Sequence, residues 1–120
     1  VELAEYDLET TKVMLKNKRL LYVGFMCHQT IENIIKGYFE KYKNTSAPYT
    51  HNISRISKET DFYDSFNDEQ LDLIDSLDPM NVGTRYPQDK AKLEKSLTEE
   101  KCKKILKETE VLLEWIKNKL

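Results

Sequence analysis

Five polar residues spaced along an otherwise apolar stretch are the first candidates for chemistry: Gln29, Glu32, Asn33, Lys36 and Glu40. At 3.6 residues per turn they fall within about 100° of one another on a helix. Such a stripe is either the solvent edge of the helix or a polar seam inside a cleft or subunit interface. In the second case Glu32 and Lys36 form an i,i+4 pair in the favourable order. His28 stands beside the stripe, and His51 opens Thr50-His51-Asn52-Ile53. Either imidazole could serve as a general base or simply as a structural hydrogen-bonding group. Arg85 is one of three arginines against sixteen lysines, and it lies in Gly83-Thr84-Arg85-Tyr86-Pro87. A guanidinium grips phosphate or carboxylate with a planar fork that lysine lacks. Tyr86 beside it could stack on a base or pack as a lid, while Pro87 stiffens the backbone. An arginine that merely pins its loop to a helix carboxylate is the plain alternative.

Other chemistries are excluded by what is missing. Three glycines in 120 residues leave no Gly-rich phosphate loop, and there is no GxSxG, HExxH or EF-hand pattern. His28 has no second His or Cys at helical ligand spacing, so no metal is expected and no cofactor is implied. Cys27 and Cys102 form no CxxC; Cys27, inside an apolar run, reads as a small buried hydrophobe. A reducing, cytoplasmic compartment is expected. The acidic pairs Asp61/Asp64 and Asp72/Asp75 fall in charge-rich segments and read as solvation. A net charge of -2 gives no global attraction for nucleic acid or an acidic membrane, so any anion site must be local. The longest stretch without a formal charge, residues 20–31, is far short of the roughly 20 apolar residues of a membrane span.

The elements that must position these residues are helices. Few Gly and Pro, with apolar residues at three- and four-residue steps, argue against short strands. Ala4, Leu8, Thr11 and Leu15 predict a helix over about residues 2–17, and residues 20–43 predict a long one that is apolar around most of its circumference. Pro48 and its Asn/Ser/Thr neighbours end that helix. Thr50 or Asn52 then caps a short helix with Ile53 and Ile56. Asn67-Asp68-Glu69-Gln70 opens another, which should stop near Asp78-Pro79. Residues 81–96 lose periodicity and predict a surface loop. Thr98 begins the last helix, whose seam runs from Cys102 through Ile105, Leu112 and Ile116 to Leu120. The expected architecture is all-α: one domain over residues 1–120, an antiparallel up-and-down bundle of four principal helices plus a short extra one.

Four pieces in order carry a resemblance: Ala4-x-x-Asp7-Leu8, His28-Gln29-x-x-Glu32-x-x-x-Lys36, Thr50-His51-Asn52-Ile53 and Arg85-Tyr86-Pro87. Together the sequence resembles the HEPN family of helical bundles, across nearly its whole length. The resemblance implies a bundle that is commonly dimeric and often encoded beside, or fused to, a minimal nucleotidyltransferase. Some relatives are ribonuclease toxins neutralised by that partner; others are thought to bind nucleotides or position substrate. Carried over residue by residue, it marks Asp7, Gln29, Glu32, Lys36, His51, Arg85 and Tyr86 as binding positions. It leaves Arg85 and His51 as the candidates for catalysis. The ribonuclease branch carries an Arg followed four to six residues later by a His, and no Arg here is so followed.

The leading expectation is thus a non-catalytic nucleotide- or anion-binding module, a homodimer that partners a minimal nucleotidyltransferase in a toxin–antitoxin-like pair. A Glu32–Arg85 ion pair is expected to hold residues 83–87 against the second helix. The alternatives are a metal-independent endoribonuclease with an atypical Arg/His site acting on RNA, and a purely structural dimerisation bundle.

Overall fold

The structure, a computed structural model, describes residues 1–81 and 87–120. It is all-α, with six helices among the described residues: α1 (Glu2–Lys16), α2 (Leu20–Lys43), α3 (Ile53–Lys58), α4 (Asp68–Leu77), α5 (Pro87–Ser96) and α6 (Glu99–Lys117). Short 3-10 turns at Tyr63–Ser65 and Asp78–Met80 flank α4.

Local chemistry sets the boundaries. Asn52 caps α3 by accepting from Arg55 N–H, and Thr98 caps α6 by accepting from Lys101 N–H. Asn67 and Gln70 form a reciprocal capping box at the start of α4. At the other end of α2, Asn44 takes the left-handed conformation with φ 52°, which asparagine tolerates better than most residues.

The expected count of four principal helices plus one is corrected by α5, which occupies ten residues of the presumed loop. Pro87 supplies a preset φ at the first helical position, and Gln88, Lys90, Ala91, Lys92, Leu93, Glu94 and Lys95 are all good helix formers. None of its residues is fully buried, and Leu93 alone packs against the core from this helix. An apolar stripe was therefore absent, and periodicity had nothing to detect.

The 24-residue α2 is the central column, about 36 Å long at 1.5 Å per residue. Its Val23, Cys27, Ile31, Ile34 and Ile35 are completely buried. The turn after α1 folds α2 back along it, and an Asp7–Asn33 hydrogen bond joins the pair. Helix α6 runs in the same direction as α2: Cys102 sits by Leu20 at one end, and Tyr42 and Lys41 reach Lys119 and Leu120 carbonyls at the other. The α6 seam of Cys102, Ile105, Leu106, Leu112, Leu113 and Ile116 is buried within the chain. Gly24 permits the close approach of the turn after α4, because a Cβ there would lie 2.7 Å from Met80 Sδ. No described helix is long and apolar enough to cross a membrane.

Candidate functional site

At Glu32 the polar stripe of α2 is not a solvent edge, although Glu40 is exposed. Glu32 is only 3% exposed, and it collects partners from its own helix and from the segment before α3. Lys36, one turn further along α2, donates from Nζ to Glu32 Oε2 at 3.0 Å. His51, just before α3, brings Nδ1 to 3.1 Å from both carboxylate oxygens. His28, one turn earlier on α2, has Nδ1 at 3.7 Å from Glu32 Oε1. A buried carboxylate is costly unless paired and hydrogen-bonded, and this arrangement supplies both kinds of compensation.

The geometry fixes proton positions. An ionised carboxylate only accepts, so His51 Nδ1 carries a hydrogen and donates it to Glu32. In neutral His51 the lone pair then resides on Nε2, and the side chain is 58% exposed. A carboxylate behind one ring nitrogen, with the other nitrogen turned outward, is the arrangement in which an imidazole accepts or delivers a proton. Lys36 lies beside it with its side chain 23% exposed, a cation anchored at one end of its reach.

His28 is almost wholly buried and plays a different part. Its Nε2 donates to the His51 backbone carbonyl at 2.9 Å, which ties the segment before α3 to α2. Its Nδ1 has no hydrogen-bond partner among the described residues. Asp78 completes the frame: Oδ1 accepts from Ile53 N–H at 2.9 Å and lies 3.5 Å from His28 Nε2. Thus the turn after α4, the start of α3 and the middle of α2 converge on one spot. A depression of about 410 Å³, bounded by Thr50, His51, Asn52, Asp78 and Asn81, opens beside it.

The expected site residues divide into three groups. Glu32, Lys36 and His51 come together. Asp7 does not join them; it is buried on the α1 side of α2, accepting from Asn33 Nδ2 at 2.7 Å. Burial pushes the Asp7 carboxyl above its ordinary range, against the lowering effect of the Asn33 hydrogen bond. Gln29 is half-buried on α2 and joins none of these hydrogen bonds. Arg85 and Tyr86, and with them the Glu32–Arg85 pair, lie outside the described residues. Asp78 was missed as a site residue, because in sequence it only marks a helix end. No group of three or more His, Cys, Asp or Glu among the described residues is arranged to hold a metal ion.

Among known protein families, the model of the HEPN domain matches residues 1–119. Neither the curated proteins nor the solved structures gave a significant match.

Proposed function

We propose that this chain, which belongs to the HEPN domain family, is a nucleotide- or anion-binding module that pairs with a second copy of itself and with a minimal nucleotidyltransferase. One observation carries the binding part: buried Glu32 holds both Lys36 and His51, and His51 lines an open depression. Lys36 offers an ammonium to a phosphate oxygen, and protonated His51 offers its outward Nε2–H. Glu32 keeps both groups in place, so little side-chain freedom is lost when an anion arrives. Calorimetric titration with inorganic phosphate and with ATP tests this. Saturable binding is expected, weakened about tenfold in His51→Ala and in Lys36→Ala, one charge-assisted hydrogen bond each. Equal binding by the parent and both variants would overturn it.

The partnership rests on the family's association with minimal nucleotidyltransferases, and co-purification with a co-expressed transferase tests it. For the homodimer, α1 leaves a row of apolar residues exposed, whereas the α6 seam is buried and Val111 is the large exposed apolar residue of that helix among the described residues. Leu3, Tyr6 and Val13, spaced three and seven residues apart, are more than half exposed on its outer face. We propose this face as the contact with a second copy, a seam of coiled-coil type. Light scattering should return twice the 14.2 kDa chain mass, and Tyr6→Glu should return the monomer.

The outward Nε2 of His51 favours a second reading, a metal-independent endoribonuclease in which His51 takes the proton of a ribose 2'-hydroxyl. The binding module predicts no cleavage of RNA in the presence of a chelator. Cleavage that disappears in His51→Ala would promote the ribonuclease.

A further inference from the structure

A second recess lies farther along α2, toward its C-terminal end. Tyr38, Phe39, Tyr42 and Lys43 form one side and Thr60 and Asp61, on the turn after α3, form the other, enclosing about 210 Å³. Three aromatic rings line its α2 side. Tyr38 and Phe39 are nearly buried, while the Tyr42 ring is half exposed and its hydroxyl is tied to the Lys119 carbonyl at 3.1 Å. The Tyr42 ring is further held against Tyr38, with centroids 4.5 Å apart, and Lys41 Nζ stands 5.4 Å from its centroid, so what Tyr42 offers the recess is the exposed remainder of a fixed ring rather than a free polar tip.

Most of the polar groups around the recess are already engaged. Thr60 donates its hydroxyl to the Ser57 carbonyl at 2.6 Å and turns no free donor to the pocket. Tyr38 donates to Asp61 Oδ1 at 2.8 Å, and burial together with that carboxylate pushes the phenol up to about 12, so it stays a donor. Two groups remain: the rest of the exposed Asp61 carboxylate, an acceptor, and the Lys43 ammonium, which makes no ion pair among the described residues.

We propose that this recess takes a guanine base. Guanine carries two adjacent N–H donors, N1–H and the N2 amino group, which match the two oxygens of the Asp61 carboxylate, Oδ2 and the lone pair of Oδ1 that the Tyr38 hydroxyl leaves. Its O6, next to N1, is the acceptor that Lys43 requires, and its ring stacks on Tyr42 as bases stack on exposed aromatics. The other bases fail at Asp61. Adenine and cytosine each place a ring-nitrogen acceptor beside their amino group, facing the carboxylate with like polarity. Uracil offers a single N–H between two carbonyls.

The proposal goes beyond the anion site and does not depend on it, because guanosine carries no phosphate. Amide NMR shifts of the full chain, titrated with guanosine, adenosine and cytidine up to their solubility, provide the test. Guanosine should shift Tyr42, Thr60 and Asp61 saturably and bind at least tenfold more tightly than the other two, as one bidentate base contact discriminates. Asp61→Asn keeps an oxygen for the Tyr38 hydroxyl, so its spectrum should stay folded while the guanosine preference disappears. Asp64→Asn, on the neighbouring turn, should bind like the parent. Absence of saturable shifts, equal shifts with adenosine, or an unchanged preference in Asp61→Asn would overturn the proposal. Phosphate, titrated separately, should shift His51 and Lys36 and leave Thr60 and Asp61 in place, so failure of either site is told from failure of the other.

Discussion

Helix α2 buries carboxylates on two sides, and they live differently. On the α1 side, Asp7 has one neutral partner, the Asn33 amide, and burial pushes its carboxyl up. On the α3 side, Glu32 is buried at least as deeply but meets Lys36, His51 and, at longer range, His28. One acid is a link between two helices, its carboxyl raised by burial. The other is an organiser, whose negative charge is the reason that a lysine and a histidine are held at the surface in fixed positions. Burial alone does not mark a functional carboxylate; the class of its partners does.

The largest expected effect comes from removing the organiser. Glu32→Ala takes away three contacts at once and leaves His28 buried beside a void, so a loss of about 2–4 kcal/mol in urea unfolding is expected. Glu32→Gln should cost less, because shape and one acceptor survive. A loss from Asp7→Ala as large as that from Glu32→Ala would erase the contrast.

Next comes the frame that brings α3 to Glu32. Asp78→Ala strands the Ile53 N–H and removes a neighbour of His28, with an expected cost of about 1–2 kcal/mol. Asn52→Ala removes the cap of α3 and should cost about 1 kcal/mol. Both should weaken phosphate binding by loosening His51, and thermal unfolding paired with phosphate titration checks this. Unchanged binding in both would mean that His51 is positioned without α3.

The smallest effect is on the other side and has the opposite sign. Because the folded carboxyl of Asp7 is raised above its unfolded value, its favourable contribution is fully present below the unfolded pKa and is lost as pH rises through the folded one. Asp7→Asn mimics the protonated acid and keeps an oxygen for Asn33. It should be more stable than the parent at neutral pH, and the gain should vanish in acid. Urea unfolding of both proteins across acidic to neutral pH measures the difference. A variant less stable at pH 7 would place Asp7 with the organisers.

These contrasts were unequally legible in the sequence. The bounds of α2 followed from its apolar run and from Asn44 and Pro48, and α4 and α6 were opened by visible caps at Asn67 and Thr98. Helix α5 was hidden, since it rests on propensity without a stripe. Within the site, Glu32 and Lys36 were readable as an i,i+4 pair, and His51 through the motif around it. What local spacing could not supply was depth. Glu32 shares its stripe with exposed Glu40, and only the packing of α3 against α2 buries one and not the other. For the same reason Asp78 was invisible: its partners are 25 residues away at Ile53 and farther still at His28. Asp61 was read as solvation, yet it accepts from Tyr38 across the α2 boundary.

The claim that Glu32 organises the site is tested most directly at the ring nitrogens of His51. Nitrogen-15 NMR of the neutral imidazole distinguishes its two tautomers. The account predicts the Nδ1–H form in the parent, with the lone pair on outward-facing Nε2, and a loss of that preference in Glu32→Gln. An Nε2–H tautomer in the parent, or the same tautomer balance in both proteins, would contradict it.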